Sequence, residues 1–278
     1  MSDNKVALVT GTSSGIGLHT AVGLARTGAR VVATMRDTGR ADPLLAEAAD
    51  QGVDLTVRRL DVTDHDGARA CLDEVAAEFG PVEILVNNAG QSVAGTLEQL
   101  DDAVLRRQLD VNLLGAAALT RHVLPSMRES GAGRIVSVTS DSAVVGQPFL
   151  DAYCASKFAL EGLMQSLAPV AARFGVVVSV VEPAHVSTNM AENVDLQALS
   201  DPDDPYRGLT EKFLRSSYAA MARAQAVQDA AAVVIEAATT GTPRFRWQTS
   251  EAAVASARLS LADLDGGAVL KAMSGWLD

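Results

Sequence analysis

A phenol and an amine set one helical turn apart are the first residues of this chain that could do chemistry. Tyr153 and Lys157 stand at i and i+4, so on a helix they share a face, with Cβ atoms about 5–6 Å apart. A phenol ionises near pH ~10 in water and is a poor base at neutral pH. An ammonium beside it favours phenolate. At about 4 Å and an effective dielectric of about 20, a unit charge is worth about 4 kcal/mol, or roughly three pKa units. The spacing therefore predicts a Tyr153 tuned down toward a working pH for general acid–base catalysis. Ser140 precedes Tyr153 at the close of an apolar run expected to be a strand, 134–139. A hydroxyl at the carboxyl end of a parallel strand can hold and polarise a substrate oxygen. Ser137, Thr139 and Ser142 are nearby competitors. Near the start of the chain, the run 6–9 leads directly into TGTSSGIG at 10–17, followed by a helix-like stretch. Glycines at 11, 15 and 17 let the backbone turn tightly and approach a pyrophosphate, and the free N–H groups of a helix start face its charge.

These groups need a scaffold that brings strand ends and helix starts together. Short apolar runs rich in Val and Ile recur at 6–9, 31–33, 55–57, 84–86, 135–138 and 176–181. Most are continuous rather than alternating, as strands buried on both faces of a parallel sheet must be. Longer stretches with helical periodicity lie between them, at 16–27, 68–79, 97–127 and 153–174, with Pro125 placed to stop the third. The β-α-β-α order implies right-handed crossovers. The expected fold class is α/β, a single doubly wound Rossmann-type domain spanning 1–278, with a parallel sheet flanked by helices on both faces. The polar, Pro-marked text from about 187 to 225 breaks the rhythm and reads as an insertion, with a turn at 201–205. A helix-like stretch at 228–238, a short run at 244–247 and a tail, 243–278, with apolar residues at helical spacing complete the chain.

The glycine spacing is G-x-x-x-G-x-G rather than G-x-G-x-x-G. Asp61 follows the third strand, Asn87-Asn88-Ala89-Gly90 the fourth, and Asn112, Ser140 and Tyr153-x-x-x-Lys157 come after in order. In these marks the chain resembles the short-chain dehydrogenase/reductase family over most of its first 190 residues. The resemblance implies catalytic roles for Asn112, Ser140, Tyr153 and Lys157, and singles out Ser140 among the local hydroxyls by its spacing to Tyr153. It implies dinucleotide contacts from Gly11, Ser13, Ser14, Gly15, Ile16, Gly17, Arg36, Asp61, Val62, Asn88, Ala89, Gly90, Tyr153, Lys157, Pro183, Val186 and Thr188. It sets Asp61 against the adenine amino group and Asn87 along the adenosine ribose, and gives Asn112 a water that relays a proton from Lys157 to solvent. Asp61 can alternatively cap the helix that begins after it. Asn112 is a poor helix-interior residue, which independently points to a kink or a bound water there.

Cofactor choice is read after the second strand, in VVATMRD. Met35 stands where an acidic residue would bond the ribose of NAD, and Arg36 follows, suited to pairing with the phosphate of NADP and stacking on adenine. Asp37 argues the other way. NADP is the expected cofactor, with NAD the weaker candidate. VVATMRD, YCASKFALEG and PRFRWQTS are similar to the 17β-hydroxysteroid and photoreceptor-type retinol dehydrogenase branch. That likeness implies reversible hydride transfer between NADP(H) and an alcohol/carbonyl pair of a lipophilic substrate, such as a steroid, retinoid or polycyclic ketone. Residues of the insertion, including Phe213, Leu214 and Tyr218, would cover it or simply pack on the core. A ketoreductase of polyketide or acyl intermediates is the alternative enzyme, and a non-catalytic NADP-sensing regulator the alternative class. The family usually has Pro-Gly where this chain has Pro183-Ala184, which bears on the path of the loop carrying His185.

Composition narrows the field. The chain has 278 residues, 48% of them hydrophobic, and a formal charge of −11 without a basic stripe. That disfavours nucleic acid or an anionic membrane surface as partner. Cys71 and Cys154 are too few for a disulfide framework and, like the four scattered histidines, lack metal-ligand spacing, so no metal is expected. Cys154, turned away from Tyr153 on a helix, reads as a small core residue. No apolar run is long enough for a membrane span, and the start lacks a signal peptide, so a cytoplasmic setting is expected. The resemblance implies a homodimer or homotetramer.

Overall fold

A computed structural model describes residues 4–188, 196 and 203–278. Seven strands form one parallel sheet: β1 Val6–Thr10, β2 Arg30–Met35, β3 Thr56–Arg59, β4 Ile84–Asn87, β5 Gly133–Val138, β6 Val176–Glu182 and β7 Arg246–Gln248. Their order is β3-β2-β1-β4-β5-β6-β7. The inner strands divide their side chains between two cores. Leu8, Val32, Leu85, Ile135 and Val178 face one layer; Ala7, Val9, Val31, Ala33, Val86 and Val136 face the other. This two-sided burial is why the strands read as unbroken apolar runs.

Helices α3 (His65–Phe79), α5 (Gly115–Ser130) and α6 (Asp151–Ala172) cover the first face, burying Leu72, Leu119, Leu160 and Met164. Helices α1 (Gly15–Arg26), α2 (Asp42–Asp50) and α8 (Val227–Thr239) cover the second, burying Leu24, Leu44 and Val234. Helix α4 (Asp102–Leu109) precedes α5, α7 (Arg207–Met221) lies within the insertion, and α9 (Glu251–Leu261) and α10 (Gly267–Ser274) make the tail. The run at 244–247 becomes the edge strand β7, paired through Val181 and Trp247. Sheet order reverses at β1, which pairs with β2 on one side and β4 on the other. In such sheets a crevice opens beyond the carboxyl ends of the strands at that point.

Two local expectations are corrected. Pro125 does not end α5, which continues to Ser130. A proline removes one backbone donor and kinks a helix, but here Leu119, Val123 and Met127 remain buried on one face across it. The helix stops instead at Gly131, in the left-handed conformation with φ 68°. The stretch at 97–127 is also not one helix: α4 and α5 are joined by a π-helical turn, Asp110–Leu114, that contains Asn112. Of the insertion, 189–195 and 197–202 lie outside the described residues, and so does the start of the turn expected at 201–205.

Leu8 is fully buried in the central strand. Leu8→Ala should lower unfolding stability by about 3 kcal/mol, read as a reduced urea midpoint with an unchanged slope.

Candidate active site

The glycine turn is built as a cradle. Gly11 and Gly15 have φ of 70° and 62°, which disfavours any side chain. Gly17 has no room for one: a Cβ would lie 2.3 Å from both Asn88 Nδ2 and the Gly11 carbonyl oxygen. Asn88 Nδ2 donates to the carbonyls of Thr10 (2.8 Å) and Gly11 (3.1 Å). Thr10 Oγ1 accepts from the main-chain N–H groups of Asn88 and Ala89, both at 3.0 Å. The β4 loop therefore holds the turn in shape. Ser14 occupies the N-cap of α1 without its side chain accepting a helix N–H, and no acidic residue lies in the first turn. Ser13, Gly15 and Ile16 are partly exposed beside it. The N–H groups of this turn are thus left for an anion, as a dinucleotide pyrophosphate requires. A Cβ on Gly15 would lie 3.4 Å from the Thr188 methyl, so the loop after β6 reaches over the same turn.

At the ends of β2 and β3, Met35 is buried and Arg36 exposed. Asp37 Oδ1 accepts from Gly39 N (2.9 Å), capping the turn Thr38–Arg40. Asp61 Oδ1 accepts from Thr63 N (3.0 Å) and Thr63 Oγ1 (2.7 Å). Burial pushes the Asp61 carboxyl up, but the Thr63 hydrogen bonds and the charges of Arg36 and Arg59 outweigh it and hold it below its usual value. The cap of α3 is Asp64, which accepts from Gly67 N (3.0 Å), and not Asp61. Val62 is buried in the core, where a Cβ on Gly115 would sit 2.7 Å from its own Cβ. The structure turns Asn87 inward. Its amide donates to Thr120 Oγ1 (3.1 Å) and Ser137 Oγ (3.4 Å), so its side chain faces α5 rather than a ribose. Strand alternation explains this, since neighbouring Val86 faces the opposite core.

Four predicted groups converge beyond β5. Lys157 Nζ donates to the Val138 carbonyl (2.9 Å) and lies 5.8 Å from the Tyr153 ring centroid. A Cβ on Gly90 would be 3.3 Å from Asn112 Oδ1 and 3.6 Å from Lys157 Nζ, so the β4 loop closes on both. Asn112 Oδ1 accepts from Gln91 N (2.9 Å), and its Nδ2 donates to the Gln91 carbonyl and to Ser156 Oγ, both at 2.9 Å. Ser156 Oγ in turn donates to the Tyr153 carbonyl (2.7 Å). The π-turn thus aims the asparagine between the β4 loop and α6. Ser140, in extended backbone, accepts from Ser142 N (3.1 Å) and stands beside the Tyr153 phenol. It serves as the cap of a 3-10 turn as well as a neighbour of the phenol.

The electrostatics correct the expectation of an acidified phenol. Burial pushes the Tyr153 phenol well above its ordinary value, with Asp141 and Cys154 acting in the same direction and only the neighbouring Ser140 hydroxyl opposing. Burial also pushes the Lys157 ammonium down, to about 8. At this depth loss of solvation outweighs mutual attraction, because each group is penalised in its charged form. Tyr153 is therefore held as a neutral phenol, the form that can donate a proton.

Sequence reasoning missed Asp141, a buried carboxyl next to Ser140; its place directly after a candidate strand-end serine was the available signal. It also missed Phe149, whose φ of 58° is left-handed, a strained conformation for a bulky residue. Gly95 N donates to the Phe149 carbonyl (2.7 Å), and Phe213 packs on its ring at 5.3 Å. Pro183 accepts from Asp141 N (2.8 Å), and Val186 is buried and bridged to Gln225. Among the described residues, the non-glycines with positive φ are Asn4 and Phe149, so Ala184 follows a path that does not need glycine. The His185 ring stacks on Trp276 at 6.0 Å. Cys154 is buried, accepts from Gln147 N (3.3 Å), and burial raises its thiol to about 11, which makes it inert.

The burial of Lys157 has a thermodynamic consequence. An amine depressed in the folded state binds fewer protons there than when unfolded, so wild-type stability gains as pH rises from about 8 toward about 10. Lys157→Met removes that term. The wild-type stability minus that of the variant should therefore increase by about 1.4 kcal/mol per pH unit across this window, measured by urea denaturation of the ligand-free protein.

The short chain dehydrogenase family matches residues 5–198. Estradiol 17-beta-dehydrogenase 1 of Rattus norvegicus is 36% identical, over 98% of this chain and 81% of that protein. Retinol dehydrogenase 8 of Bos taurus is 37% identical, over 88% and 81%. An actinorhodin polyketide ketoreductase solved with NADPH superposes with a TM-score of 0.76 at 30% identity, covering 89% of this chain and 96% of that one. A Burkholderia phymatum short chain dehydrogenase/reductase solved with NAD gives 0.82 at 28% identity, covering 95% of each. The family match spans the glycine cradle and the Ser140–Tyr153–Lys157 cluster at the strand ends, and on it this chain belongs to the short-chain dehydrogenase/reductase family, as an oxidoreductase of hydroxyl and carbonyl groups.

Proposed function

We propose that this oxidoreductase uses NADP(H) to interconvert a carbonyl and an alcohol on a lipophilic, steroid-like substrate. The carrying observation is the buried cluster of Ser140, Tyr153 and Lys157 beyond β5, beside a turn shaped for a pyrophosphate. When bound, the dinucleotide supplies or accepts the hydride. Gly11, Ser13, Ser14, Gly15, Ile16 and Gly17 would hold its pyrophosphate; Asp61, Val62, Asn88, Ala89 and Gly90 would hold the adenosine side; Pro183, Val186 and Thr188 would hold the other end. Tyr153, kept neutral by burial, donates its proton to the substrate oxygen during reduction. Ser140 holds that oxygen, and Lys157, fixed on Val138, holds α6 in register and restores the proton. Asn112 keeps the β4 loop and α6 together at Gln91 and Ser156.

NADP is favoured over NAD because Asp37 is engaged as a cap, Met35 is buried, and Arg36 stands exposed near Asp61. A guanidinium there suits a phosphate. The names of the steroid and retinol relatives support a lipophilic substrate. The insertion and tail support it too. Phe213 of α7 packs on Phe149, and Ala257, Val269 and Met273 of the tail pack on Val144 and Val145 next to Ser140. Of the other covering residues expected, Leu214 is half-buried and Tyr218 is 70% exposed. No helix among the described residues is long and apolar enough to cross a membrane. The outer face of α6 exposes Phe158, Leu163 and Val170, with Leu114 beside the start of α5, which supports a homodimer formed through these helices.

Two measurements test this. Purified protein with NADPH should reduce estrone, a steroid ketone, and Tyr153→Phe should lower kcat about 100-fold or more while leaving NADPH affinity unchanged. NADPH binding without turnover of estrone or retinal would contradict the assignment. Arg36→Ala should weaken NADPH binding about tenfold or more and leave NADH binding unaltered; equal losses for both would contradict the NADP preference.

A further inference from the structure

Asp141 is a buried acidic group beside the reacting atoms that the mechanism above does not use. It opens the 3-10 turn Asp141–Ala143, directly after Ser140, and is 7% exposed. Its carboxyl group is gripped from three sides. Ser140 Oγ stands 3.2 Å from Oδ1, Gln147 Nε2 donates to Oδ1 at 3.4 Å, and Ser256 Oγ of α9 donates to Oδ2 at 3.3 Å. His185, on the loop after β6, is its electrostatic partner. The Tyr153 phenol and Cys154 thiol face it from α6.

The hydrogen bonds around Ser140 have a proton count. A serine hydroxyl brings one proton and two lone pairs. Ser142 N–H takes one lone pair. If Asp141 is a carboxylate, the Ser140 proton goes to Oδ1. The Ser140 hydroxyl then points no proton at a substrate oxygen. If Asp141 is a carboxylic acid, it donates to Ser140 Oγ, and the Ser140 proton is released toward a carbonyl.

We propose that Asp141 is a positioning residue for carbonyl reduction, setting the direction of the Ser140 hydroxyl and tying it through Ser256 to helix α9 of the tail. This rests on the reading of Ser140 and Tyr153 as the reducing site. Burial raises the Asp141 carboxyl toward its neutral form, while His185 and the hydrogen bonds from Ser140, Ser256 and Ser142 oppose. The competent form is the protonated one, so reduction should decline as pH rises through the Asp141 titration.

The test follows the aspartate carboxyls by carbon-13 NMR in the NADP⁺-saturated full chain, with the Asp141 signal identified by its loss in Asp141→Asn. In parallel it records the pH profile of estrone reduction. Asp141 should titrate above the other aspartates, and the wild-type kcat should fall across the same range. Asp141→Asn should lack that fall. Ser256→Ala, which removes one donor to the carboxylate, should move both the titration and the fall upward by roughly half a pH unit. The proposal is overturned if Asp141 titrates with the ordinary aspartates, if Ser256→Ala moves neither curve, or if Asp141→Asn keeps the wild-type fall. If wild type fails to reduce estrone, the substrate reading fails, and the titration with its response to Ser256→Ala still decides the role of Asp141.

Discussion

One hydrogen bond holds the chemical end together: Lys157 Nζ on the carbonyl of Val138. It ties the second turn of α6 to the last residue of β5. Tyr153 lies one turn back along the helix and Ser140 two residues on from the strand, so the same bond sets where phenol and hydroxyl meet. Its setting is dry. Lys157 is 3% exposed and Tyr153 9%. An amine in such a place costs stability in its charged form, and retaining it there is the sign of a site selected for something other than folding.

Burial also decides the electrostatics. A surface ion pair of this spacing would acidify the phenol, and in the free protein that does not happen. Both groups are displaced toward neutrality, the phenol upward and the ammonium downward. The consequence favours proton donation, since a phenol that stays protonated across the neutral range is ready to protonate a developing alkoxide. Asp141 belongs to the same economy of protons, because the single Ser140 proton can serve the carboxyl group or the substrate, not both.

Most of the architecture was legible because its signals are strong and local. The six Val- and Ile-rich runs became β1 to β6, most of them buried on both faces while β3 at the sheet edge is partly exposed, and the glycine turn fell where backbone must approach backbone. Asn112 signalled a break in helical geometry, and a π-turn is there. What the sequence hid depends on three-dimensional context. Pro125 reads as a stop, yet tertiary packing of Leu119, Val123 and Met127 carries α5 past it. Asn87 carries a motif residue's name while strand alternation turns it into the core. The direction of the Tyr153 shift could not be read from i, i+4 spacing, because solvent exclusion is set by segments far away, among them α9 and α10 packed over Val144 and Val145.

The most direct measurement is the ultraviolet absorbance titration of the phenol in the free protein, taken as wild type minus Tyr153→Phe. The account predicts that Tyr153 ionises above the ordinary phenol value of 10.0, with no phenolate signal in the neutral range. A midpoint below that value would show that the ammonium outweighs burial and would contradict it.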